Sequence, residues 1–80
     1  MIILYVIRSE VNQNLYVGIC KDVNNRLKEH NNGKNRYTKG LRPWVMVYTE
    51  EFPDWETARS KEKYYKSGSG KEYLKRILVP

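Results

Sequence analysis

Cysteine is nearly absent. Cys20 stands alone among 80 residues, which excludes an intramolecular disulfide, and with His30 as the single histidine there is no spaced Cys/His zinc site. Cys20 is expected to be a small strand-end residue in a reducing, cytoplasmic setting. Long apolar runs are missing too. The most apolar stretch, Met1 to Ile7, is far too short to span a bilayer and lacks the charged head and cleavage site of a secretory signal. There are no internal repeats and no dividing linker, so residues 1–80 are expected to form one domain with a modest buried share. Seven tyrosines, two tryptophans and one phenylalanine give its core bulk.

Charge is present in quantity and mostly of one sign. The net charge of +6 favours an anionic partner, nucleic acid first, and gives no reason to expect a membrane. The charges are also segregated. Lys34, Arg36, Lys39 and Arg42 fall in one stretch without an acid, and Lys61, Lys63, Lys66, Lys71, Lys75 and Arg76 crowd the C-terminal third. Glu50, Glu51, Asp54 and Glu56 lie between them.

Residues 2–8 alternate as a strand, with Ile2, Leu4 and Val6 on one face and Ile3, Tyr5 and Ile7 on the other. Asn12-Gln13-Asn14 supplies a hairpin loop, and Leu15 to Ile19 returns antiparallel with Tyr16 and Gly18 on one face. Gly18 leaves room for a close approach or accommodates packing. Asp22 caps a helix to about residue 31, which Asn31-Asn32-Gly33 stops. Residues 33–42 form a basic loop with Tyr37 as a stacking group or a solvated turn. Trp44 to Thr49 reads as a third strand and Trp55 to about Ser67 as a helix after Asp54. A short helix is expected from about Lys71 to Leu78, after a break at Ser67-Gly68-Ser69-Gly70. Gly68-Ser69-Gly70-Lys71 is not a phosphate loop, because Glu72 follows the lysine and a helix precedes the glycines. A helix–helix corner explains those glycines better.

Two helices carry polar groups where apolar ones are expected. Val23, Arg26, Leu27 and His30 share one stripe of the first helix, and Glu62 falls within the stripe of Trp55, Ala58 and Tyr65. Such groups are costly on a buried face without partners. Arg59 and Lys66 flank Glu62 at i−3 and i+4, so an intrahelical ion pair is its simplest account. Tyr5 and Tyr16 sit on adjacent strands, however, and with Arg26, His30 and Glu62 would converge on one surface of the sheet. An acid for a metal, an arginine for a phosphate, and tyrosines and a histidine near a water suit metal-assisted phosphodiester hydrolysis.

Leu4-Tyr5-Val6, then Leu15-Tyr16-Val17-Gly18, then Arg26 ten residues after Tyr16, resemble the GIY-YIG nuclease family. Lys28-Glu29-His30-Asn31, Arg42-Pro43-Trp44 and Lys61-Glu62-Lys63 are similar to its small stand-alone bacterial members, and the likeness runs from about residue 2 to 78. The resemblance implies an α+β fold, a three-stranded antiparallel sheet flanked by three helices in the order ββαβαα. It also implies one Mg²⁺ or Mn²⁺ held by Glu62, with Arg26 at the scissile phosphate. Tyr5 and Tyr16 match the motif tyrosines, one of which positions or deprotonates the attacking water, and His30 matches a helper near the same water or phosphate. Leu4 departs from the motif glycine, and Ile19 stands where the repair branch has a lysine.

The expected function is a divalent-metal-dependent DNA endonuclease, in repair or recombination. The alternatives are a non-cutting basic module for nucleic acid and a scaffold whose inward charges pair, Arg26 with Glu62. Duplex or branched DNA, or RNA, would meet Lys34, Arg36, Lys39, Arg42, Lys66, Lys71, Lys75 and Arg76 mainly through phosphates. Sequence or structure preference would come from a partner protein, from a homodimer or from DNA shape.

Overall fold

A computed structural model describes residues 1–78; the last two residues of the expected domain lie outside the described residues. The alternating aliphatic runs form β1 (Ile2–Ser9), β2 (Leu15–Cys20) and β3 (Trp44–Phe52), an antiparallel sheet in the order β2-β1-β3. With α1 (Val23–Asn31), α2 (Trp55–Lys66) and α3 (Gly68–Leu78) the order is ββαβαα, as the sequence predicts.

The central strand β1 is covered on both faces. Leu4 and Val6 look toward Tyr65 of α2 and Leu74 of α3, together with Val17. Tyr5 and Ile7 look the other way, into a cluster with Cys20 and Trp44 that Val23 and Leu27 of α1 close. So α1 and the α2–α3 pair lie on opposite faces of one sheet.

Helix ends follow the expected chemistry. The Asp22 carboxylate accepts from the Asn25 N–H at 3.1 Å, and that of Asp54 from the Thr57 N–H at 2.8 Å. At the end of α1 the chain turns through Gly33 at φ +78, a left-handed conformation that suits glycine.

Three expectations need correction. β3 runs past Thr49 to Phe52, because Glu50, Glu51 and Phe52 pair with Leu4, Ile3 and Ile2. The Tyr48 and Tyr65 hydroxyls donate to Glu50 at 3.1 and 3.3 Å, which makes an acid acceptable there. Next, α3 begins at Gly68 rather than Lys71. Ser67 ends α2 and starts α3 at once, its Oγ accepting from the Gly70 N–H at 3.3 Å and its carbonyl from the Lys71 N–H at 2.9 Å. Gly70 is required at this corner, since a Cβ there would run into the Tyr64 carbonyl, whereas Gly68 faces open space. Last, Trp55 is 39% exposed rather than inward, with the Arg59 guanidinium 5.8 Å over its ring; Ala58 and Tyr65 are buried as expected.

Candidate active site

The site is built on a cross-strand pair. Tyr5 of β1 stands opposite Gly18 of β2, and its ring lies across the glycine. A Cβ at Gly18 would come within 2.5 Å of Tyr5 Cζ. The room left by Gly18 is therefore filled by Tyr5, and packing is the reason for the glycine.

Pinned this way, the Tyr5 hydroxyl reaches His30 of α1, at 2.9 Å from Nε2. His30 Nδ1 lies 2.8 Å from Thr38 Oγ1. Every group is satisfied if Tyr5 donates to Nε2, Nδ1–H donates to Thr38, and Thr38 passes its proton toward the Asn35 carbonyl at 3.5 Å. All three side chains are buried. Burial pushes the Tyr5 phenol far above its ordinary value, with Arg26 pulling the other way. Such a hydroxyl is a hydrogen-bond donor, not a base at neutral pH.

Burial likewise holds the His30 imidazole below its ordinary value, and the Arg26 guanidinium adds to the effect. The sign of the linkage follows. As pH falls through about 6.5, the unfolded chain protonates His30 while the folded chain resists, so stability falls with falling pH. The slope is expected to reach at most about 1.4 kcal/mol per pH unit. Thermal melts between about pH 7 and 5.5 check it, and His30→Gln is expected to flatten the dependence, since His30 is the single histidine.

Arg26 lies at the rim rather than in the core. Its side chain is 44% exposed and its Nε pairs with Glu29 Oε1 at 3.1 Å. So exposed a pair holds the guanidinium by at most about 1 kcal/mol, which leaves it free to exchange partners. Arg26, Glu29, His30, Lys34 and Asn35 line a shallow depression of ≈ 300 Å³. Tyr16 is half-buried nearby, its ring edge-on to His30 at 5.1 Å and to Trp44 at 6.4 Å.

Glu62 comes from elsewhere. It belongs to α2, on the opposite face of the sheet from Tyr5, Tyr16 and His30. The expected convergence on one surface is therefore corrected: what connects Glu62 to Tyr16 runs around the edge of β2. Lys66 makes the link, with its Nζ 3.1 Å from Glu62 Oε2 and 5.6 Å from the centre of the Tyr16 ring. The Arg26–Glu62 bridge of the scaffold reading is not formed, because each residue pairs within its own helix.

Among the described residues no group of three His, Cys, Asp or Glu is placed to hold a metal ion. A lone carboxylate does suit a hard cation that keeps waters and takes substrate oxygens. Glu62 fits that description, being 23% exposed with only Oε2 engaged by Lys66.

The basic residues divide in two. Lys34, Arg36, Lys39 and Arg42 are exposed in the loop after α1, beside Tyr37, which is 81% exposed. Lys66, Lys71 and Lys75 line a groove of ≈ 590 Å³ between the β1–β2 hairpin, the end of α2 and α3. Arg76 is exposed on α3.

The sequence reading missed the staple behind His30. The Asn31 amide accepts from the Trp44 N–H at 2.7 Å and donates to its carbonyl at 3.0 Å, while Trp44 Nε1 donates to the Thr38 carbonyl at 2.8 Å. Thr38 has no periodic signal, and Asn31 reads in the sequence only as part of a helix stop.

Comparisons with known proteins bear on the family and the fold. The sequence pattern described as the GIY-YIG catalytic domain matches residues 1–75. A UPF0213 protein of Staphylococcus epidermidis is 42% identical over 64 residues, covering 79% of this chain and 78% of the relative. A UPF0213 protein of Clostridium perfringens is 33% identical over 75 residues, covering 92% and 80%. The solution NMR structure of a UPF0213 protein from Bacillus halodurans superposes with a TM-score of 0.58 at 33% identity, covering 100% of this chain and 89% of that one.

Proposed function

The chain belongs to the GIY-YIG catalytic domain family, and on that premise we propose that it is a divalent-metal-dependent DNA endonuclease, acting in repair or recombination. The observation that carries the reading is the placement of Lys66 at the edge of β2, within reach of both Glu62 and Tyr16. A partly exposed acid joined to a tyrosine through one lysine, with an arginine held only by a surface pair, is poised for a phosphodiester rather than for fold stability.

Glu62 would hold Mg²⁺ or Mn²⁺, which when bound polarises the phosphate and stabilises the leaving oxygen. Arg26 exchanges Glu29 for a phosphate oxygen and offsets charge on phosphorus as it becomes five-coordinate. Of Tyr5 and Tyr16, Tyr16 is the one that reaches solvent, and it orients the attacking water. Tyr5 and His30 act behind it, Tyr5 setting the position of His30 and His30 presenting its ring to Tyr16. The exposed lysines and arginines gather the nucleic acid through phosphates, so affinity should fall steeply with salt.

Arg26→Ala tests the assignment, with cleavage of branched, single-stranded and duplex DNA followed in Mg²⁺ and in Mn²⁺. A loss of about a hundredfold or more in rate is expected. Near-normal metal-dependent cutting by the variant would remove Arg26 from the reaction. Salt-sensitive binding without cutting by the unaltered chain would instead identify a binding module.

A further inference from the structure

The groove of ≈ 590 Å³ beside the candidate site has a composition that phosphate binding alone does not explain. Its floor is apolar, made by Leu15, Val17 and Leu74, and its rim carries Lys66, Lys71 and Lys75 with no acid. A surface meant only for a duplex backbone needs charge and hydrogen-bond donors, not an apolar floor. The flat faces of a duplex's bases are hidden in its stack, whereas an unpaired nucleotide offers an apolar face between two negative charges.

We propose that this groove receives an unpaired nucleotide next to the phosphate to be cut, its base on the Leu15–Val17–Leu74 floor and its flanking phosphates on Lys66, Lys71 and Lys75. The placement beside a cleaved phosphate rests on the nuclease reading; the binding itself does not. Three further features support it. Lys71 and Lys75 are four residues apart on α3 and so lie on one side of the helix, bracketing Leu74. Lys66 faces the groove and also touches Glu62 and Tyr16, which places the occupant beside the candidate chemistry. At the hairpin end, Gln13 and Asn14 add amides that suit the polar edge of a base.

Binding is measured by fluorescence anisotropy at fixed salt and without divalent metal, using three probes of equal phosphate count: an oligothymidylate, an abasic strand and a blunt duplex. The oligothymidylate is expected to bind about tenfold more tightly than the abasic strand, the scale of one buried base. Leu15→Asp is expected to erase that difference. Lys71→Ala and Lys75→Ala replace exposed side chains, so folding is retained, and each should weaken all three probes and lower the salt slope by about one. Equal affinity for oligothymidylate and abasic strand would overturn the proposal, as would tighter binding of the duplex. If the Leu15→Asp melt shows a lost fold, Leu15→Ser takes its place with the same expected convergence.

The two readings fail separately. Cutting of duplex that depends on Glu62, with no gain from the thymine bases, removes the groove assignment and keeps the nuclease. Base-dependent binding that Leu15→Asp abolishes, with no cutting on any strand, keeps the groove and removes the nuclease.

Discussion

Glu62→Ala should abolish metal-dependent cleavage while leaving the fold and DNA binding almost unchanged. The Glu62 side chain is 23% exposed, and its protein partner is Lys66 at 3.1 Å, itself 48% exposed. Removing so open a pair costs at most about 1 kcal/mol of stability. If Glu62 supplies the protein's carboxylate to the metal, however, the whole Lewis-acid contribution goes with it. That contribution is several kcal/mol, and each 1.4 kcal/mol is about a tenfold change in rate, so a loss of about a thousandfold or more is expected. Binding should hold or tighten slightly, since a negative charge leaves a basic surface. Single-turnover cleavage, a thermal melt and an anisotropy titration on the same preparation check the three parts together. Cleavage that survives Glu62→Ala would move the metal elsewhere, and a melt lowered by several degrees would make Glu62 a structural residue.

The double attachment of Lys66 bears on how the free protein rests. Arg26 and Glu62, the two charges assigned to the reaction, are each neutralised by a neighbour on their own helix, Glu29 and Lys66. Both pairs are exposed enough to exchange cheaply. On the proposed nuclease reading, an incoming phosphate would compete for Arg26 and Lys66 together and so free Glu62 as a substrate arrives. The resting charges are thus held without a deep energetic commitment.

The fold was largely legible because its signals are local. Two-residue alternation separates Leu4 and Val6 from Tyr5 and Ile7, and the caps Asp22 and Asp54 fix two helix starts. The buried stripe of α2 starts at Ala58 rather than at Trp55, because Trp55 lies in the first turn, exposed, with an arginine over its ring. The site was legible in its residue types but not in its layout. Spacing along α1 and α2 indicates which side chains share a helix face, yet says nothing about whether the two helices share a face of the sheet. They do not, and the link through Lys66 around the β2 edge depends on tertiary placement. The staple of Asn31, Trp44 and Thr38 was invisible for a related reason. Its bonds join positions 6 and 13 residues apart through a loop without periodicity.

Gly18→Ala tests the foundation beneath all of this. In the central pair of the sheet the added methyl meets the Tyr5 ring, 2.5 Å from Cζ and 2.8 Å from Cε1, so one of them must move. Neither strand yields easily. Tyr5 is 1% exposed and β1 is hydrogen-bonded on both sides. If the ring moves, its hydroxyl leaves His30, and a buried imidazole nitrogen loses its partner. Overpacking and the lost bond together should cost about 3 kcal/mol, a fall of about 15 °C in Tm for a domain of this size. The cost belongs to the pair rather than to the glycine. Tyr5→Leu removes the atoms that collide, so in the double variant the Gly18→Ala penalty should shrink by at least about 1 kcal/mol. The residual cleavage of Gly18→Ala, assayed below its melting range, separates scaffold from chemistry. If Tyr5 serves by holding His30 against Tyr16, activity falls with the displaced ring even where the chain remains folded. A Gly18→Ala protein that melts and cuts like the parent would mean that the Tyr5 ring is not held against Gly18, and that the Tyr5–His30–Thr38 chain does not set the geometry of the site.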